Sequence, residues 1–240
     1  MISLIIALYN EERRLESLCG AAQDFLTSLG EPWELFLVDD GSRDGTPGLL
    51  RAAAALDDRI RVLTLERNQG QGAAIKRGML ESSGDVVLYC DADLPIPLSF
   101  FKTLIGHVRS GADAAVASRW MPGARIQTPQ PAARRILGRA YYRLIGALFS
   151  TGIRDTNCGF KAYRGRIARE LFAHVRSRRW AFNIEFLWLA ERLGRSVLEV
   201  PVEWSHRDQS KVRVFRDCLF TLWELAAIQA RRLTGSYPTR

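Results

Sequence analysis

Short apolar runs alternate with amphipathic stretches through the first half of the chain. The runs Ile2–Leu8, Glu34–Val38, Arg61–Leu65, Val86–Cys90 and Ala114–Ala117 are each bounded by turn residues. Near-continuous hydrophobicity over so few residues marks strands buried on both faces of a sheet. Between them the spacing predicts helices near 11–29, 46–56, 71–82 and 97–110. This alternation predicts an α/β fold: one open, mainly parallel sheet flanked by helices. The second half reads as more helical, with segments at 132–150, after Pro129 and Pro131, and at 215–233. In the first segment Arg135, Arg139 and Arg143 share a face, with Leu137, Tyr141, Leu144 and Leu148 as an apolar stripe beside them. In the second, Leu219, Leu222, Trp223 and Ala226 are expected to point inward. Core packing is the expected role of both helices, and contact with a membrane surface is the sharper alternative.

Ligands of open α/β sheets bind at the carboxyl ends of the strands, and polar residues collect at those ends here. Tyr9-Asn10-Glu11 follows the first strand, Asp39-Asp40-Gly41-Ser42 the second and Asn68-Gln69-Gly70-Gln71-Gly72 the third. Asp91-Ala92-Asp93 follows the fourth and Ser118-Arg119 the fifth. Any one of these is explicable as turn chemistry; five at one sheet edge point to a site.

The 240 residues suit one sizeable domain, or one domain with an appendage, and 47% hydrophobic residues supply a core for it. No apolar run approaches the ~20 residues that span a bilayer. The opening Met1–Leu8 reads as a buried strand and not as a signal peptide. Cys19, Cys90, Cys158 and Cys218 are far apart, so reduced thiols in a cytoplasmic protein are expected, with neither a zinc site nor a disulfide framework. The net charge of +8 is unevenly spread: residues 1–106 hold 10 Lys/Arg and 16 Asp/Glu, and residues 107–240 hold 24 and 10. A basic second half points to an anionic partner, whether nucleic acid, anionic lipid or a phosphorylated substrate, with a solvated basic face as the alternative. Nucleic acid is the weakest candidate, because the basic residues lack interleaved aromatics or a reader motif.

Asp91 and Asp93, two residues apart at a strand end, point the same way, so their carboxylates converge and repel. A hard divalent cation, Mg²⁺ or Mn²⁺, resolves that repulsion, and Mg²⁺ favours one or two carboxylates completed by substrate phosphates. Helix capping and a surface turn are the alternatives. Asp39 to Thr46 is a turn-rich segment opening a helix, suited to nucleobase or ribose hydrogen bonds and also to capping by Asp44 or Thr46. Gly70-Gln71-Gly72 is not a dinucleotide fingerprint, since Ile75 stands where it needs glycine, and there is no P-loop or G-x-S-x-G elbow. With His107, His174 and His206 the only histidines, a His-centred triad is disfavoured.

Taken in order, Leu8-Tyr9-Asn10-Glu11-Glu12, Val38 to Thr46, Asn68 to Ala74 and Asp91-Ala92-Asp93 resemble the inverting family 2 of nucleotide-sugar glycosyltransferases. Asp155-Thr156-Asn157-Cys158-Gly159-Phe160-Lys161, Arg179 to Glu185 and Glu199 to Trp204 resemble its dolichyl-phosphate (polyprenyl-phosphate) β-glucosyltransferase branch, sister to the dolichyl-phosphate mannose synthases. The resemblance runs over about 2–235 and implies a GT-A-type catalytic domain over 1–240. Residues 1–118 would form its nucleotide-sugar half and 119–240 a basic, acceptor-binding and possible membrane-facing half. It implies donor contacts by Ala7, Tyr9, Glu11, Asp39, Asp40, Gln71, Lys76, Asp91 and Ala92. It implies metal ligation by Asp91 and Asp93, catalytic roles for Asp93 and Arg119, and an acceptor-phosphate site of Arg119, Arg134, Arg207 and Lys211. Three positions depart from the family pattern. Ala7 replaces a proline, Gln71 a lysine, and Pro95 a polar neighbour of the metal in mannose synthases.

The implied reaction moves a hexose, glucose first, from a UDP-sugar to a polyprenyl phosphate at the cytoplasmic face of a membrane, the protein being peripheral. A phosphate monoester is largely dianionic at neutral pH, with a second pKa of about 6, so it serves as its own nucleophile. GDP-mannose as donor is one alternative. Transfer to a sugar hydroxyl is another, and it would need a general base, for which Glu185 is the candidate. A fold-retaining nucleotide-sugar-binding module is the non-enzymatic alternative.

Overall fold

The computed structural model describes residues 1–128, 132–149, 151–205 and 214–239, leaving the side chains of 132–137, 139–141 and 214–218 undescribed. The first half alternates as its pattern requires: β1 (Ile2–Leu8), α1 (Leu15–Thr27), β2 (Trp33–Asp39), α2 (Thr46–Leu56), β3 (Ile60–Thr64), α3 (Gln71–Glu81) and β4 (Val86–Cys90). A short 3-10 turn at Leu98–Phe100 leads into α4 (Phe101–Arg109) and β5 (Ala114–Ser118). There follow β6 (Arg125–Thr128), α5 (Ala132–Phe149), β7 (Phe160–Arg164), α6 (Gly165–His174) and α7 (Phe182–Arg192). The described chain closes with β8 (Val197–Pro201), β9 (Glu203–Ser205) and α8 (Val214–Leu233).

Seven strands form one sheet in the order β3-β2-β1-β4-β7-β5-β8, and β6 pairs with β9 separately. All neighbours in the large sheet are parallel except β7, which runs antiparallel between β4 and β5. The sheet is covered on both sides, which is why its strands read as continuous apolar runs. Ile2, Leu4, Ile6 and Leu8 join one core cluster with α1, α2 and α4. Ile5 faces the other, built from α3, α6 and α7 with the inner faces of α5 and α8.

Helix α1 starts at Leu15, later than the pattern predicts. Residues 10–12 are drawn off to hold the β2–α2 loop: the Glu11 N–H donates to Thr46 Oγ1 (2.8 Å), and the Glu12 carboxylate accepts the Gly45 N–H (2.7 Å). The expected facing of α8 is overturned. Leu219, Leu222, Trp223 and Ala226 lie outward, while Thr221, Glu224, Leu225 and Ile228 are buried. The helix is apolar on two opposite faces, so periodicity alone did not choose between them. The choice follows Glu224, whose carboxylate accepts the backbone N–H groups of Arg178 (2.8 Å) and Arg179 (3.0 Å) and turns that face inward. In α5, likewise, Ile145 and Phe149 are buried while Leu144 and Leu148 of the expected stripe lie outward.

Candidate active site

The loops after β1 and β2 are sewn together before any ligand is considered. Asn10 takes a left-handed backbone (φ 55°), donates its N–H to Ser42 Oγ and accepts the Arg43 N–H on Oδ1, both at 2.8 Å. Gly41 also lies at positive φ (70°), and a Cβ there would stand 2.6 Å from the Arg67 backbone, so only glycine lets the β2 and β3 loops close on each other. Asp44 Oδ1 accepts the Thr46 N–H (3.0 Å) at the start of α2.

Two adjacent aspartates of this edge have different tasks. Both oxygens of Asp40 accept backbone N–H groups, from Gln69 (2.7 Å) and Gly70 (2.9 Å). Asp40 therefore anchors the β3–α3 loop. Asp39 uses Oδ1 to accept the Ser42 N–H (3.0 Å), while its buried Oδ2 has no hydrogen-bond partner among the described residues. A buried acceptor left open at a loop cluster is fitted to a ligand donor.

The turn after β4 carries the acidic pair. Asp91 Oδ1 accepts from Gln71 Nε2 (2.7 Å) and from the Tyr89 hydroxyl (2.8 Å), and the Asp91 N–H donates to the Gly159 carbonyl (3.0 Å). A Cβ at Gly159 would fall on the Asp91 carboxylate. Leu94 closes the turn at φ 43°, a strained setting for leucine directly after Asp93. Burial, and then the charge of Asp93, push the Asp91 carboxyl up to about 6, against the hydrogen bonds from Tyr89 and Gln71 and the charge of Lys161. A divalent cation beside the two carboxylates would offset that shift by favouring their charged forms. The described residues hold no group of three or more His, Cys, Asp or Glu suited to a metal. Asp91 and Asp93 could supply at most two carboxylates, so an ion held there would take its remaining ligands from substrate oxygens and water, as Mg²⁺ does.

Behind the pair, Lys161 is buried, donates to the Thr156 carbonyl (3.1 Å) and to Asn183 Oδ1, and has its pKa pushed down to about 8 by burial. It feels the charges of both Asp155 and Asp91. Asp155 meets Arg119 in a two-pronged pair, Nε to Oδ2 at 2.7 Å and Nη2 to Oδ1 at 2.8 Å, with Nη2 also donating to the Tyr142 hydroxyl (3.1 Å). Arg119, expected to meet an acceptor phosphate, thus already has its charge answered within the protein.

Of the other expected residues, Ala7 is half-buried one residue before the end of β1, Tyr9 directly follows that strand, and Ala92 lies between the two aspartates. Glu11 pairs with Arg14 (2.8 Å). The Lys76 ammonium donates to the carbonyls of Ala173 (3.3 Å) and Val175 (2.6 Å) at the end of α6. Arg207, Lys211 and the side chain of Arg134 lie outside the described residues. Glu185 is no base. It is fully buried on α7, its Oε2 accepts the N–H groups of Arg176 (3.0 Å) and Ser177 (2.6 Å), and its Oε1 accepts the Tyr237 hydroxyl. A groove of about 1240 Å³ opens not over Asp91 and Asp93 but beside Arg67–Gln69, between Arg176–Arg179 and α8. Sequence reasoning assigned no part to Tyr89, Asp155, Gly159 or Lys161. The last three stand in the segment 155–161, legible as a motif and mute about roles.

The sequence matches the family described as Glycosyl transferase family 2 over residues 3–172. The chain belongs to glycosyltransferase family 2. Among its relatives, the dolichyl-phosphate beta-glucosyltransferase of Dictyostelium discoideum is 31% identical over 98% of this chain and 75% of that protein. The mouse protein of that name is 32% identical over 98% and 77%. Glycosyltransferase AglD of Haloferax volcanii is 34% identical over 91% of this chain, which spans only 35% of AglD. The fold is shared with glucosyl-3-phosphoglycerate synthase of Mycobacterium tuberculosis. Its structure with Mn²⁺, UDP-glucose and phosphoglyceric acid has a TM-score of 0.69 at 19% identity, covering 95% of this chain and 79% of that one. As a family 2 glycosyltransferase of GT-A architecture, this chain has its acidic pair at the sheet edge where the α/β rule places ligands.

Proposed function

We propose that this family 2 glycosyltransferase moves a hexose, glucose first, from a UDP-sugar to a polyprenyl phosphate, with inversion and with a divalent metal. The carrying observation is the Asp91 carboxylate, fixed by Gln71 and Tyr89 in the turn that also carries Asp93, at the same sheet edge as the open buried acceptor of Asp39. The names of the Dictyostelium and mouse relatives support glucose and a lipid phosphate as donor sugar and acceptor. Residues 1–118 are the donor half and 119–240 the acceptor half of one catalytic domain.

Asp39 and Tyr9 receive the nucleoside, and Asp91 and Asp93 hold Mg²⁺ or Mn²⁺. When bound, that ion supplies charge compensation for the departing nucleoside diphosphate. Gln71 and Tyr89 fix the Asp91 carboxylate. The acceptor phosphate, dianionic at neutral pH, attacks the anomeric carbon without a general base, so positioning and charge compensation are the protein's contribution. Arg134, Arg207 and Lys211 gather that phosphate, and Arg119, held by Asp155, keeps the β5 end in place beside it. The burial of Glu185 and its engagement with the 176–177 backbone count against transfer to a sugar hydroxyl through that residue. The site of action is the cytoplasmic face of a membrane, and no described helix is long and apolar enough to cross one.

The test is a panel of UDP-glucose, other UDP-hexoses and GDP-mannose, each with a polyprenyl phosphate and with free sugars, with and without a chelator. UDP-glucose with the lipid phosphate is expected to turn over fastest, and chelation to abolish turnover. Preference for GDP-mannose, transfer to free sugars alone or full activity in chelator would each overturn the part of the proposal it addresses.

A further inference from the structure

Helix α8 buries one face and leaves the opposite face apolar. Leu219, Leu222, Trp223, Ala226, Ala230 and Leu233 are all exposed, Trp223 by 69% and Leu233 by 86%. At 100° per residue they fall within an arc of about 100°, and at 1.5 Å per residue the stripe is about 21 Å long. Leu144, Ala147 and Leu148 of α5 are exposed too, and Gln229 Nε2 donates to the Leu148 carbonyl (2.8 Å), so the two helices lie side by side. A continuous apolar face of this kind marks an interaction surface.

The charges around it identify the partner. From 219 to 233 the only acidic residue of α8, Glu224, is buried against the backbone of 178–179. Arg232 and, on α5, Arg143 are exposed beside the stripe. Leu219 and Trp223 also form one wall of the 1240 Å³ groove, whose other wall carries Arg67, Arg178 and Arg179. A tryptophan and leucines on one face of a helix, with arginines flanking and no exposed acid between them, match an amphipathic helix lying in a bilayer interface.

We propose that the α8 stripe, extended by Leu144 and Leu148 of α5, docks on the surface of an anionic lipid bilayer. The leucines and Trp223 enter the headgroup boundary, and Arg67, Arg143, Arg178, Arg179 and Arg232 face the lipid phosphates. This rests on the reading of the acceptor as a lipid phosphate, and it names the surface that brings the enzyme to its acceptor. The geometry places none of these stripe residues at the acidic pair.

Flotation of the full chain with vesicles of phosphatidylcholine, with and without about one-third phosphatidylglycerol, tests it. The wild type is expected to float with the anionic vesicles, and less so as salt rises. Leu222→Glu with Trp223→Glu is expected to lower that partitioning by roughly tenfold or more, with turnover of a short, water-soluble prenyl phosphate unchanged. Should the double variant misfold, the blue shift of fluorescence on adding vesicles, present in wild type and diminished in Trp223→Phe, decides the matter. A wild type that stays with the aqueous phase while turning over the soluble acceptor overturns the surface and spares the function. Vesicle binding with no transfer to any prenyl phosphate sinks the function and spares the surface. A wild type that is dimeric by sedimentation, and is made monomeric by the same double variant, hands the face to a second copy of the chain.

Discussion

A buried phenol is costly unless its hydroxyl finds a partner, and Tyr89 finds one in Asp91 Oδ1, 2.8 Å away. Burial raises the Tyr89 pKa far above its ordinary value, so the hydroxyl remains a donor at any physiological pH. Gln71 supplies the second donor to the same oxygen, and its amide also reaches the Tyr89 hydroxyl (3.2 Å). With Oδ1 fixed twice and Gly159 leaving room for the carboxylate, the protein itself sets the orientation of Asp91 for the metal proposed above. Groups that orient a metal ligand typically change affinity by about 10- to 100-fold when removed. Tyr89→Phe should therefore weaken Mn²⁺ binding in the presence of UDP by at least roughly tenfold, while the melting temperature moves little. Electron spin resonance titration of Mn²⁺ reads this directly, and an unchanged affinity means that Tyr89 does not orient the ligand. The aspartates were legible in the sequence because two acids at a strand end have no business in a core. Tyr89 was not, because an aromatic in an apolar run looks like any other core residue.

Buried carboxylates set the mutual placement of whole elements. Asp155 joins the end of β5, through Arg119, to the loop before β7, and Tyr142 of α5 shares the pair. Glu185 ties α7 to the 176–177 loop and to Tyr237 near the carboxyl terminus. Burial would raise the Asp155 pKa, but the opposite charge and hydrogen bonds of Arg119 reverse that and hold it below the ordinary carboxylate value. A depressed folded pKa contributes stability that is complete above the unfolded pKa of about 3.9 and is lost only as pH falls through the lower folded value. Asp155→Asn leaves the Arg119 charge unanswered, a loss of about 3–5 kcal/mol for a buried pair. Urea unfolding should show that gap from wild type as flat between about pH 8 and pH 5, closing only in stronger acid. A gap that narrows steadily from neutral pH downward contradicts the assignment. The strands β1, β2, β4 and β5 were readable because burial on two faces leaves one strong signal per element. Helix α8 was misread because both of its faces are apolar, and only the partner of Glu224 decides which one turns inward.

Strand β7 decides how the molecule holds together. It carries Lys161 and Arg164 in five residues, so it has no clean apolar signature, yet it lies antiparallel between β4 of the acidic half and β5. Both sheet partners of β5, β7 and β8, come from residues beyond 118. The division into a donor half and an acceptor half therefore runs through the chain but not through the sheet. This serves the proposed reaction, because a donor bound at β4 and a phosphate met near β5 share one rigid frame, and rigid positioning is what the transfer needs. It also forbids independent folding of the first half: a fragment of residues 1–118 would leave β5 without a ladder and β4 with an open hydrophobic edge. The full chain should unfold in one transition, with calorimetric and van't Hoff enthalpies equal and with far-ultraviolet circular dichroism and tryptophan fluorescence coincident. The 1–118 fragment should lack a cooperative melt. Two separate transitions, or a fragment that melts cooperatively by itself, show that the two halves are domains and that β7 is not the seam joining them.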